Sequence, residues 1–163
     1  MATVRTGEPA PDFTLPGLVM ADEEVRHAEY QLSAQRGAPL VLAFYPGDDT
    51  PTCTRQLCSY SSGLDELTGL GATVWAISPQ DLDSHERFAR RYGLRMPLLA
   101  DADRTAVTAY GVGLPGLGLR RSVFVIDAEG VVRWKHVALV GVTYQTVRTI
   151  SAQLAALDTA RPR

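Results

Sequence analysis

Cysteine is scarce in this chain. Cys53 and Cys58 are the only two in 163 residues, and that removes several classes at once. Two thiols cannot staple a chain of this length into a disulfide scaffold. Five positions apart, they are not the CxxC pair of a dithiol–disulfide exchanger. A four-ligand zinc site would need two of His27, His85 and His136, which are scattered without ligand spacing. No apolar run approaches the ~20 residues that span a bilayer, so no membrane partner is expected. Residues 1–11 lack the basic start and apolar centre of a secretory signal, and the chain is read as cytoplasmic. Basic charge is not in excess either: the formal net charge of -2 gives nucleic acid no electrostatic footprint.

What the sequence does contain is ordered alternation. Its length suits one domain over residues 1–163. Leu40 to Tyr45 reads as a buried strand that stops at Pro46, with a loop from Pro46 to Pro51. Leu57, Tyr60, Leu64 and Leu67 recur at helical spacing, which predicts a helix running unbroken from about Cys53 to Gly69. Ala72 to Ile77 is the next strand. A helix from about Ser84 to Tyr92 follows, ended by Gly93, and a short one is expected between Arg104 and Tyr110. Ser122 to Ile126 and Val131 to Val137 read as strands joined by Asp127-Ala128-Glu129-Gly130, where glycine supplies positive φ. Val147, Ile150, Leu154 and Leu157 mark a final amphipathic helix. Strands alternating with helices predict an α/β protein.

The loop before the first of these helices carries the chemistry. Thr50 suits a helix N-cap and Pro51 the first helical position, which puts Cys53 in the first turn. Backbone N–H groups there have no intrahelical partner, and the helix dipole favours anionic sulfur. The thiolate is the form that attacks.

Pro46, Thr50 and Cys53 also match the pattern PxxxTxxC, which resembles the active-site motif of the peroxiredoxins. The run from Phe44-Tyr45-Pro46 to Cys58 is similar to the bacterioferritin-comigratory-protein type, also called peroxiredoxin Q. Ala10-Pro11-Asp12-Phe13-Thr14-Leu15 resembles the opening strand of that family. Ile77-Ser78-Pro79, Pro97-Leu98-Leu99-Ala100-Asp101 and Arg121-Ser122-Val123-Phe124-Val125-Ile126-Asp127 resemble its later landmarks. The likeness covers about residues 5 to 155. It implies a thioredoxin-like fold, a mixed central sheet flanked by helices, and a thiol peroxidase needing no metal, haem or flavin. Cys53 is then the peroxidatic cysteine. Thr50 and the Cys53 N–H bond the peroxide oxygens, Arg121 supports the thiolate and polarises the substrate, and Pro46 shields it. Arg120 competes for the arginine role, but a strand alternates its faces, and the family pattern three residues before Phe124 selects Arg121.

Two departures stand out: Gln56 where the family usually has a Glu that helps hold the arginine, and Thr52 where it often has Gly. Cys58 matches the resolving cysteine of the peroxiredoxin Q group. On an intact helix, residues five apart have Cα atoms about 8.6 Å apart, beyond the ~7 Å a disulfide tolerates. The helix start must therefore unwind before the two thiols bond. The implied cycle runs from a hydroperoxide through a sulfenic acid and an intramolecular disulfide to reduction by thioredoxin or a similar dithiol. A monomer is expected, with a weak dimer as the alternative. Two other readings compete: a disulfide oxidoreductase on the same fold, which lacks its CxxC, and a thioredoxin-like binding module with an unreactive Cys53. Trp75 and Trp134 offer fluorescence reporters of the redox step.

Overall fold

The computed structural model describes residues 3–48, 50–114, 118–138 and 144–160. In chain order the elements are β1 (Thr14–Ala21), β2 (Glu24–Gln31), a 3-10 turn (Leu32–Gln35), β3 (Leu40–Phe44), α1 (Pro51–Ser62), α2 (Leu64–Gly69), β4 (Thr73–Ser78), α3 (Leu82–Tyr92), β5 (Leu98–Ala100), α4 (Thr105–Tyr110), β6 (Gly113–Leu114), β7 (Gly118–Leu119), β8 (Ser122–Ile126), β9 (Val132–Val137) and α5 (Val147–Ala160). Seven strands make one sheet in the order β2-β1-β5-β4-β3-β8-β9, and β6 pairs with β7 apart from it. β3, β4 and β5 are parallel, and the flanking pairs are antiparallel. This is the mixed sheet of the thioredoxin-like arrangement.

The central strands read as apolar runs because both of their faces are buried. In β3, Val41 and Ala43 face one cluster, and Tyr45 beyond the strand end continues that side. Leu40, Leu42 and Phe44 face the other. β4 and β8 divide in the same way: Val74, Ala76, Val123 and Val125 on the first side, Trp75, Ile77, Phe124 and Ile126 on the second. The first cluster is roofed by Cys53, Leu57 and Tyr60 of α1, Leu67 of α2, Phe88 of α3, and Val147, Ile150 and Leu154 of α5. The second is covered by Ala106, Val107 and Tyr110 of α4. Helices therefore lie on both faces, and Cys53 is built into the more heavily covered side.

Three details differ from the sequence reading. The helix expected to run unbroken to Gly69 is interrupted at Gly63, between α1 and α2. The residue at the break is fixed by a distant one: a Cβ at Gly63 would lie 2.8 Å from Val147 Cγ2, so the start of α5 occupies the space a side chain would need. The opening strand expected over residues 10–15 begins only at Thr14, and the antiparallel hairpin of β1 with β2 was not anticipated. Close approach shapes that hairpin too. A Cβ at Gly17 would meet Leu98 O and the Tyr30 ring, each at 2.9 Å. Finally, α3 starts at Leu82, two residues earlier than expected, because Asp81 caps it by accepting from Ser84 N at 2.8 Å. Gly93 ends it in the left-handed conformation, φ 63°.

Candidate active site

Phe44 closes β3, and the chain turns through Pro46 to Asp48 before Pro51 opens α1. Cys53 is the third residue of that helix and is fully buried. Helix formation starts where the sequence placed it: Thr54 N donates to Thr50 O at 2.8 Å, and Pro51 occupies the first helical position. Thr50 stands at the N-cap position, but its side chain does not cap. Its hydroxyl donates to Gly47 O at 3.2 Å, which leaves the oxygen lone pairs facing outward. Thr50 and Pro46 are both exposed, in the loop that leads into the helix carrying Cys53.

Arg121 approaches from the other side of the fold. It lies immediately before β8 and is 3% exposed. Its carbonyl accepts from Ala138 N at 2.9 Å, which ties its backbone to the end of β9. Its Nη2 donates to Cys53 Sγ at 3.2 Å, and its Nη1 donates to Gln56 Oε1. Of the two adjacent arginines, it is therefore Arg121 that reaches the sulfur. Arg120 is half-buried, and its N–H is bonded to Val112 O. Gln56 is fully buried and passes the contact on. Its Nε2 donates to Tyr60 OH at 3.2 Å, and Tyr60 donates to Gln145 O just ahead of α5. Burial pushes the Tyr60 hydroxyl up to about 12, so it stays neutral in this chain.

Cys58 lies one and a half turns further along α1, half-buried against the first cluster. Both thiols are free. Burial raises the Cys58 thiol above its ordinary value, which further disfavours its thiolate while α1 is intact. Of the two tryptophans, Trp134 packs against the cluster that contains Cys53, whereas Trp75 is buried on the opposite side of the sheet.

Sequence reasoning did not reach a second polar network on the same loop. Tyr45 OH donates to Asp48 Oδ1 at 2.6 Å, Ser84 Oγ donates to Asp48 Oδ2 at 2.7 Å, and His85 Nδ1 lies 2.8 Å from that oxygen. Asp48 N donates to the Gln80 side chain. The scatter of the three histidines gave no signal for it, because the partner of His85 is a loop carboxylate 37 positions away.

Residues 6–135 match the family described as AhpC/TSA. A protein named as a bcp peroxiredoxin in Coxiella burnetii is 34% identical over 85% of this chain and 93% of its own length. A chloroplastic peroxiredoxin Q of Oryza sativa subsp. japonica is 36% identical over 80% of this chain, which spans 58% of that longer protein. Among solved structures, AhpC of Mycobacterium bovis superposes with a TM-score of 0.88 over 100% of this chain and 97% of its own at 20% identity, a likeness of fold.

Proposed function

Since this chain belongs to the AhpC/TSA family, the peroxiredoxins, and so is a thiol-dependent peroxidase, we propose that Cys53 is its peroxidatic residue and Cys58 its resolving residue. The observation that carries the proposal is the 3.2 Å contact from Arg121 Nη2 to the buried Cys53 Sγ at the start of a helix. A fixed cation, the first-turn N–H groups and the helix dipole all favour negative charge at that sulfur.

The Cys53 thiolate attacks the terminal oxygen of a hydroperoxide, hydrogen peroxide or an organic one. The S–O bond forms as the O–O bond breaks, the sulfur is oxidised to a sulfenic acid, and the alkoxide or hydroxide that leaves takes up a proton. Thr50 accepts from the peroxide O–H with the lone pairs left by its bond to Gly47, and the Cys53 N–H and Arg121 receive the charge moving onto the leaving oxygen. Pro46 limits access of water to the sulfur. The second step needs α1 to unwind at its start. Unwinding also exposes Cys58, and exposure relieves the burial that raises its thiol, so the motion that delivers the resolving thiol also makes its thiolate easier to form. Cys58 then attacks the sulfenic acid, a disulfide forms and water leaves. The clamp of Tyr60 on Gln145 and of Val147 on Gly63 marks where unwinding stops. A thioredoxin-type dithiol restores both thiols by exchange. One chain supplies both cysteines, so the reading is of a monomer. Its proposed place is the cytoplasm, where thiols are kept reduced.

Mass spectrometry after one equivalent of hydrogen peroxide tests this. The wild type is expected to carry a Cys53–Cys58 disulfide, Cys58→Ser an oxygen adduct on Cys53, and Cys53→Ser neither. Wild-type protein that holds a sulfenic acid without a disulfide would leave a one-cysteine peroxidase and remove the role of Cys58.

A further inference from the structure

We propose that Asp48 and His85 form a buried latch that positions the loop between β3 and α1, and that this latch sets the balance between oxidation of Cys53 and its resolution by Cys58. The proposal rests on the roles given to those two cysteines above.

His85 is fully buried on α3. Its Nε2 lies 3.0 Å from Leu99 O, a carbonyl that can only accept, so Nε2 bears a hydrogen. Its Nδ1 lies 2.8 Å from Asp48 Oδ2, an oxygen that also accepts from Ser84 at 2.7 Å, while Tyr45 OH donates to Oδ1 at 2.6 Å. Burial is outweighed by the hydrogen bonds from His85, Tyr45 and Ser84, which hold the Asp48 carboxyl below the usual range, so it accepts as an anion. Tyr45 OH also lies 3.3 Å from His85 Nδ1, which closes the group. The His85 and Asp48 side chains are 0% and 3% exposed, where such a contact is screened little by solvent.

The location of this pair gives it a consequence. Asp48 sits midway between Pro46 and Thr50, five residues before Cys53. Its partners come from the end of β3 (Tyr45), from the segment after β4 (Gln80), and from α3 (Ser84 and His85). The His85 ring is in turn held by β5 through Leu99 O. These are sheet and helix elements outside the stretch that must unwind. A latched loop keeps Thr50 where the first hydrogen bond of α1 forms, Thr54 N to Thr50 O. It thereby holds Cys53 against Arg121. A freed loop lowers the population of that arrangement and raises the population of the unwound start. The two chemical steps must then respond in opposite directions, which a general loss of stability would not produce. Asp48 and His85 thus act as positioning residues, bonded to Tyr45, Gln80, Ser84 and Leu99 rather than to Cys53 Sγ.

The test uses Asp48→Ala, Asp48→Asn and Ser84→Ala. Asparagine can still accept from Tyr45 and can turn its amide N–H to His85 Nδ1, so it removes the carboxylate charge and keeps part of the bonding. In reduced Asp48→Ala, hydrogen exchange over residues 50–58 is expected to quicken about tenfold, the factor that goes with one lost charge-assisted contact, while β3 and β4 keep their protection. Disulfide formation should speed by up to about tenfold with the unwound population, stopped-flow oxidation of Cys53 by hydrogen peroxide should slow by the smaller factor set by the loss of the wound population, and sulfinic acid at high peroxide should fall. Asp48→Asn and Ser84→Ala should move the same quantities the same way by less, and they carry the test if the alanine variant does not fold. Unchanged exchange over residues 50–58, exchange rising equally in β3 and β4, or two rates moving together would each overturn the latch. Absence of a disulfide in the wild type would instead overturn the role of Cys58, and the exchange data would still decide for or against the latch.

Discussion

Removing the guanidinium of Arg121 is the sharpest perturbation the site offers. Its Nη2 lies 3.2 Å from Cys53 Sγ, and both residues are buried. Two unit charges at that separation attract by about 5 kcal/mol at an effective dielectric of ~20. Only part of this appears in the rate, because the transition state keeps some charge on sulfur while the leaving oxygen gains the rest. Loss of one preorganised donor in comparable sites costs roughly 3–4 kcal/mol, so Arg121→Ala should slow the second-order oxidation of Cys53 about 10²- to 10³-fold. Arg121→Lys should recover part of this. An ammonium restores the charge, but it lacks the fork that reaches Sγ and Gln56 Oε1 together. Arg120→Ala should change the rate by less than about threefold, since such a half-buried side chain offers the sulfur no donor. The assay is stopped-flow mixing of reduced protein with hydrogen peroxide, followed through Trp134, which packs on the cluster containing Cys53. An Arg121→Ala rate within threefold of the wild type, or an equal loss in Arg120→Ala, would refute the reasoning.

Two further predictions concern stability. Gly63→Ala places a Cβ about 2.8 Å from Val147 Cγ2 and should destabilise by roughly 1–3 kcal/mol in urea titrations, with part of the loss recovered when Val147→Ala is added; wild-type stability in the single variant would show that Val147 does not demand glycine at that position. Asp48 should make stability fall in acid. Burial alone would raise its carboxyl, but the hydrogen bonds and charge of His85, with the bonds from Tyr45 and Ser84, outweigh burial and hold it below the usual range. A depressed carboxyl contributes stability that is complete above about pH 4 and is lost as the pH falls through the folded-state value. The slope of denaturation midpoint against pH below about 4 should therefore be shallower in Asp48→Asn. Equal slopes would mean that the carboxylate is not linked to folding.

The parts of this molecule legible in the sequence are those whose cause is local. β3 is an apolar run bounded by Pro46, α1 starts at Thr50-Pro51, α3 stops at Gly93, and the hairpin after β8 turns at Gly130 with φ 85°. β2 was not legible. Glu24–Gln31 is largely exposed on both faces, so no alternation marks it, and its pairing with β1 is what makes it a strand. The break at Gly63 hides for a different reason. Leu57, Tyr60, Leu64 and Leu67 keep helical spacing across it, and the residue that leaves room only for glycine there, Val147, is distant in the chain. The site divides in the same way. Pro46, Thr50 and Cys53 lie within one short motif. The choice of Arg121 over Arg120 needed a family resemblance, and the contact itself joins positions 68 apart. Tyr45, Asp48 and His85 form no sequence pattern, because a polar network closed by tertiary contacts leaves no period to read.

Gln56 shows how the structure changes the meaning of a departure seen in the sequence. Exchanging a carboxylate for an amide removes charge, and from sequence alone it suggests a loosely held arginine. In the fold the amide is oriented by its neighbours. Arg121 can only donate, so Gln56 presents Oε1 to it, and Nε2 is then turned to Tyr60. Tyr60 gives its proton to Gln145 O, and burial raises its hydroxyl to about 12, so the polarity of the whole run is fixed near neutral pH. Directed donors thus do the holding that a negative charge would otherwise do. They do it without neutralising the guanidinium, whose charge from Gln56's side remains available to the sulfur of Cys53. The same run ties the start of α1 to the segment that leads into α5, so Arg121, α1 and the approach to α5 are parts of one connected structure.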